Sequence, residues 1–147
     1  MKKNQLKLKV AIIGAGIMGL YLGWKLRSEG GHQVTIFEKK GIIGKEACSG
    51  LFSERILRFV PTSKKLIEHE ISSVLIHFPK KTIKVKFSKK FLVMNHAELD
   101  RLVADLARKA GAEIRFNQNI AGSDPANTFD RVVGCDGANS VVRKSLG

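Results

Sequence analysis

Val10-Ala11-Ile12-Ile13-Gly14-Ala15-Gly16-Ile17-Met18-Gly19 is the stretch on which the fold turns. Its first four residues are wholly apolar, the pattern selected when both faces of a parallel strand are covered, and they predict a first strand. Each glycine then has a job that a side chain would obstruct. Gly14 allows a tight turn out of the strand, Gly16 lets backbone approach a pyrophosphate, and Gly19 permits close packing of helix on sheet. Ile17, Leu20, Tyr21 and Trp24 recur at helical spacing as far as Arg27, and Gly30-Gly31 supplies the stop. The run Gln33 to Glu38 is rich in β-formers and completes a strand, helix and strand within about thirty residues. Glu38 stands 19 positions after Gly19, where a carboxylate accepts from ribose hydroxyls. The same carboxylate opposes a bound 2′-phosphate, although Lys39 and Lys40 blunt that opposition. The pattern therefore selects a dinucleotide, FAD or NAD before NADP. The first fifty residues leave FAD and NAD open, because both present the same adenosine diphosphate half.

Beyond this unit, Ser53 to Val60 is expected to be helical and to end at Pro61. Three alternating strands are expected next, over 74–78, 82–87 and 91–94, with Pro79-Lys80-Lys81 as a turn. Ile83, Val85 and Phe87 alternate with Lys84 and Lys86, which predicts one packed and one wet face. Glu98 to Ala110 reads as a helix carrying Leu99, Leu102, Val103 and Leu106 on one side. Glu113 to Phe116 and Arg131 to Gly134 read as strands, with a polar turn over 121–128 between them. The expected fold is a Rossmann-like α/β domain with a mostly parallel sheet and a small antiparallel β insertion. Residues 1–60 and 96–147 are assigned to nucleotide binding and 61–95 to the antiparallel segment.

With 147 residues, 44% hydrophobic and 27% charged, the chain has ordinary globular composition, which excludes the disordered and fibrous classes. Lys and Arg number 26 against 13 Asp and Glu, a net charge of +13. The lysine doublets are spread along the chain, which suits a solvated surface and also phosphates of a cofactor or lipid. No nucleic-acid-reading module is recognisable, and nucleic acid is not expected as a partner. The two cysteines, Cys48 and Cys135, lie far apart and in no metal-ligand spacing, so a reducing cytoplasm is expected and a metal is not. No apolar run approaches the roughly 20 residues of a membrane span.

Val133-Gly134-Cys135-Asp136-Gly137-Ala138-Asn139-Ser140-Val141-Val142-Arg143 resembles the Asp-Gly motif of flavoprotein hydroxylases and geranylgeranyl reductases. The resemblance implies that Asp136, followed by Gly137, meets the ribityl hydroxyls of FAD. On the residues alone, an acid at the end of a buried strand reaches a sugar hydroxyl, with Ser140 capping the next helix, while a plain Asp-Gly turn stays open. Glu46-Ala47-Cys48-Ser49-Gly50-Leu51 is similar to the geranylgeranyl reductase segment in which a cysteine lies near the flavin ring. Related hydroxylases carry an arginine around this point, so the likeness favours the isoprenoid-reducing branch and implies that Cys48 is near the ring. A thiol that packs like alanine is the other reading of Cys48, and the one given to Cys135. His96-Ala97-Glu98-Leu99-Asp100 resembles a family segment that begins with an arginine at the flavin's phosphate or ribityl region. Here His96 takes that place, either as a pH-dependent donor or as a helix-start residue with no ligand.

Taken together, the resemblance implies an FAD-dependent oxidoreductase that reduces isoprenoid double bonds, with NAD(P)H as electron donor. The substrate would be a small molecule or an isoprenoid lipid, with peripheral membrane contact, and no catalytic acid–base pair is identifiable. An aromatic-type monooxygenase and a truncated, non-catalytic dinucleotide-binding module are the alternatives. Members of these families continue into a substrate domain and a Gly-Asp-Ala-Ala-Gly motif. Neither occurs in the 147 residues, so a further chain or a carboxy-terminal region is expected to complete the site.

Overall fold

The computed structural model describes residues 6–44, 48–120 and 127–145. The first strand, β1 (Lys9–Ile13), leads into helix α1 (Ile17–Ser28) and strand β2 (Gln33–Phe37). These are followed by β3 (Leu51–Ser53), α2 (Ile56–Phe59), a 3-10 helix (Pro61–Leu66), β4 (Ile67–Phe78) and β5 (Lys81–Met94). Helix α3 (His96–Lys109), strands β6 (Glu113–Arg115) and β7 (Arg131–Gly134), and helix α4 (Val141–Ser145) complete the order. The chain divides into two compact units, Met1–Lys45 with Asp100–Gly147, and Glu46–Leu99.

In the first unit four parallel strands lie in the order β6-β2-β1-β7. Central β1 is covered on both faces, which is why Val10, Ala11, Ile12 and Ile13 are all apolar and all buried. On one face Ala11, Ile13 and Phe37 pack with Ile120, Phe129, Val132 and Val142, and the Phe37 and Phe129 rings meet edge to face at 5.8 Å. Helix α1 is almost uniformly apolar, so approach distance governs its packing more than amphipathicity does. Gly23 provides it: a Cβ there would come within 2.7 Å of Ile36 Cδ1. Arg27 fastens the end of the helix, donating from Nη1 to the His32 carbonyl at 2.7 Å and from Nε to the Ala110 carbonyl at 3.1 Å. The carboxyl ends of β1, β2, β6 and β7 therefore lie side by side, the edge at which open parallel sheets bind ligands.

In the second unit three antiparallel strands lie in the order β3-β5-β4. The helix expected over 53–60 is confined to the four residues of α2, and Pro61 starts a 3-10 helix instead of only ending the one before it. A proline is tolerated at a first helical position because its missing N–H has no partner there in any case. The strands expected over 82–87 and 91–94 belong to one element, β5. The break between them is real as a register shift: Ile71 faces Phe91 whereas Ser73 faces Lys86, so residues 87–90 are set against Ser72 alone. The face expected to be packed is only partly so. Phe87 is half-buried and meets Phe91 edge to face at 4.8 Å, but Ile83 and Val85 are exposed. Asn95 caps α3, its side-chain Oδ1 accepting the Glu98 N–H at 3.1 Å.

Candidate functional site

The glycine loop is shaped by two of its three glycines and leaves the third open. Gly14 adopts φ +104, and a Cβ there would stand 2.5 Å from the Cys135 carbonyl oxygen. Gly19 is buried, and a Cβ on it would overlap the Gly14 carbonyl oxygen. Gly16 is different. It has ordinary extended backbone at φ −76 and ψ 176, and a Cβ added to it would meet nothing within 4 Å. Neither conformation nor packing against the described residues calls for glycine at this position. What the missing side chain leaves clear is a cleft of about 280 Å³ lined by Gly14, Gly16, Glu38, Lys39, Asp136 and Gly137, among others.

Glu38 is tied to the loop directly. Its Oε2 accepts the Ala15 N–H at 2.8 Å and its Oε1 the Lys40 N–H at 3.0 Å. A carboxylate has about four acceptor positions, so roughly two remain for hydroxyl donors in the cleft. Helix α1 begins at the same place. Gly16 is its N-cap, no side chain caps it and no acid lies in its first turn, which leaves its positive end for an anion.

The opposite wall is the turn after β7. The Cys135 N–H donates to the Ile13 carbonyl at 2.7 Å, carrying the chain past the end of β1. Asp136 then accepts the Val141 N–H through Oδ2 at 2.6 Å, and Ser140 Oγ accepts the Arg143 N–H at 3.0 Å. Both side chains thus serve the start of α4, so the expected Ser140 cap is present and Asp136 shares in it. Asp136 Oδ1 is buried with no hydrogen-bond partner among the described residues. Burial pushes the Asp136 carboxyl up, but hydrogen bonds from the Ser140 hydroxyl and the backbone around Val141 outweigh it and hold the carboxyl below its ordinary range. Cys135, which also lines the cleft, is pushed up by burial and by the neighbouring Asp136 charge, so it stays a neutral thiol. Gly137 has φ +88, and a Cβ on it would meet nothing within 4 Å, so it too is open towards space the chain does not fill.

Of the residues singled out in the sequence, Gly14, Gly16, Glu38, Lys39, Asp136 and Gly137 are brought to one cleft, with Gly19 beneath the loop. Cys48 and His96 belong to the second unit. Cys48 is exposed, with Glu46 and Ala47 outside the described residues. His96 stacks on Phe52 with ring centroids 5.6 Å apart. Sequence reasoning missed Gln118, Asn119 and Ile120, which line the cleft after β6. Their signal is position: they follow a parallel strand at its carboxyl end, and the Gln118 N–H donates to the Glu38 carbonyl at 2.9 Å.

A dinucleotide fits these residues on two observations, the cradle at Gly16 that a Cβ would fill and the unpartnered Asp136 oxygen. The size of the cleft suits part of such a ligand, being at the bottom of the roughly 300–1,000 Å³ range of small-molecule sites.

Residues 12–56 match the family of NAD(P)-binding Rossmann-like domains. The chain is 33% identical over 131 residues to a thiamine thiazole synthase of Pyrococcus furiosus, covering 89% of this chain and 47% of that protein. The structure of a 2-methyl-3-hydroxypyridine-5-carboxylic acid oxygenase superposes with a TM-score of 0.81 at 21% identity, over 97% of this chain and 43% of that one. A geranylgeranyl bacteriochlorophyll reductase-like protein of Thermoplasma acidophilum gives 0.62 at 23% identity, over 76% of this chain and 30% of that one. The two structural likenesses establish the shared Rossmann-like fold. In all three cases the chain spans less than half the length of the protein it matches.

Proposed function

We propose that the chain is the FAD-binding region of an oxidoreductase of geranylgeranyl reductase type, acting on isoprenoid double bonds. The observation that carries the cofactor reading is Gly16, a glycine that the chain's own backbone and packing do not require, set in a cleft with Glu38 and Asp136 on its walls. In this reading the pyrophosphate lies over Gly16 at the start of α1, the adenosine ribose meets the free acceptor positions of Glu38, and Asp136 receives a ribityl hydroxyl. Three proteins named for three different reactions are similar to this region, which supports a shared cofactor-binding role more than any one chemistry.

When bound, the flavin supplies hydride transfer, and the protein's part is binding and orientation. The loop N–H groups hold the phosphates, Glu38 orients the ribose, and the neutral Cys135 thiol adds no second charge beside the Asp136 carboxylate. The isoprenoid substrate, the nicotinamide donor and the placing of Cys48 and His96 near the flavin rest on the sequence motifs. Hydroxylation with oxygen is the second reading, supported by the oxygenase likeness.

The test is a visible absorption spectrum of the purified chain with FAD, followed by anaerobic assays with an isoprenoid lipid and reduced flavin. A retained yellow chromophore and saturation of the lipid double bond support the proposal. Binding of NAD without FAD would overturn the cofactor assignment, and substrate-dependent oxygen uptake would move the activity to the hydroxylating reading.

A further inference from the structure

The Glu38 main chain is clamped to the end of β6 and the residues beyond it. Its N–H donates to the Arg115 carbonyl at 2.8 Å, and its carbonyl accepts the Gln118 N–H at 2.9 Å. From that anchor the side chain crosses to the glycine loop, where Oε2 takes the Ala15 N–H at 2.8 Å, while Oε1 takes the Lys40 N–H of its own turn at 3.0 Å. Ala15 is buried, so removal of this acceptor would strand a donor away from water. The Gly14 N–H donates to the Phe37 carbonyl at 2.8 Å, and two successive peptides of the loop are thereby tied to the end of β2. The Leu20 N–H closes the first turn of α1 on the Gly16 carbonyl, and the helix N–H groups ahead of it are the ones left for an anion.

A ribose hydroxyl does not by itself require a carboxylate here. A glutamine would also accept from a hydroxyl, and it would put no negative charge beside an anion site. What a glutamine cannot do is accept at both ends of its head group, since one of the two terminal atoms is an NH2 donor. The bonds from Ala15 and Lys40 need an acceptor at each terminal atom. We infer that Glu38 is a positioning residue for the glycine loop: it fixes the Ala15 peptide before any ligand arrives and so sets the N–H groups from Gly16 onward for a phosphate. The consequence for anion binding rests on the adenosine diphosphate reading of the cleft, whereas the brace itself does not.

Amide hydrogen exchange of the ligand-free chain, with calorimetric titration of ADP and of 2′,3′-dideoxy-ADP, tests the inference. The dideoxy analogue lacks both ribose hydroxyls. Glu38→Gln should speed exchange at Ala15 at least about tenfold while β1 and β2 keep their protection. It should also weaken binding of the dideoxy analogue at least about fivefold. The sign discriminates, because a Glu38 that served only the ribose would leave this analogue unaffected, and loss of its charge alone would tighten binding. Glu38→Asp keeps the charge but is one methylene shorter, and it should show the same two effects. It also covers the case in which Glu38→Gln does not fold, which the protection of β1 and β2 checks. Unchanged Ala15 exchange in a folded variant would overturn the inference, as would dideoxy-ADP binding that is unchanged or tighter in Glu38→Gln. If the native chain binds neither nucleotide, the adenosine diphosphate reading fails and Ala15 exchange alone decides on the brace.

Discussion

At Gly16 a methyl group would meet nothing within 4 Å among the described residues, whereas at Gly19 it would overlap a carbonyl oxygen, and the two substitutions separate binding from folding. Gly16→Ala should change stability by no more than about 0.5 kcal/mol, as open-site substitutions do, yet weaken FAD binding roughly tenfold or more. Gly19→Ala should destabilise by about 2 kcal/mol or more, because helix α1 must move to admit the methyl group. Chemical denaturation and an FAD titration on both variants check the pair. Asp136 makes a pH-dependent contribution whose sign is fixed by its lowered carboxyl. The folded state binds that proton more weakly than the unfolded state, so the contribution is complete above the ordinary aspartate value of about 4 and is lost as pH falls through the folded value. The melting-temperature gap between the native chain and Asp136→Asn should therefore narrow on acidification below about pH 4. A gap that stayed constant into that range would mean that the carboxylate charge plays no part.

Among the elements, the β1-α1-β2 unit was legible in the sequence because all its determinants are local. An apolar run, glycines at fixed offsets and helical spacing lie within about 30 residues of one another, and the acid at 38 closes the pattern. The residues after β6 were not legible as part of the site. Their place depends on β6 pairing with β2, a contact such as Thr35 to Glu113 that spans 78 positions. The expected strands over 82–87 and 91–94 are one element because a bulge absorbs the polar residues Ser88-Lys89-Lys90 without ending the strand, and local sequence does not show a bulge. The helix expected over 53–60 was overestimated for a related reason: apolar spacing over so short a run does not distinguish one helix from a short α-turn followed by a proline-initiated 3-10 helix. Arg27, which joins the end of α1 to the chain before β2 and to the turn before β6, gives the test at this scale. Arg27→Ala leaves two carbonyls without their donor and should cost about 2 kcal/mol by urea denaturation. Arg27→Lys should recover less than about half of the loss, since an ammonium lacks the planar fork that serves both carbonyls.

For the whole molecule, the net charge of +13 acts on any anionic ligand before contact is made. Association of FAD should slow several-fold between about 20 mM and about 500 mM salt, while dissociation from the cleft changes less. Among the described residues no helix is long and apolar enough to cross a membrane. In the proposed reading, function centres on the cleft at the carboxyl ends of the parallel strands, where bare Gly16 would face a pyrophosphate and Glu38 beside it a ribose. Isothermal titration of the chain and its folded Gly16→Val variant with FAD, with ADP as competitor, addresses that assignment. A cleft built for the adenosine diphosphate half should take one FAD per chain, release it to ADP, and lose binding in Gly16→Val with the melting temperature kept. FAD binding that ADP does not displace, or that survives Gly16→Val unchanged, would refute the assignment.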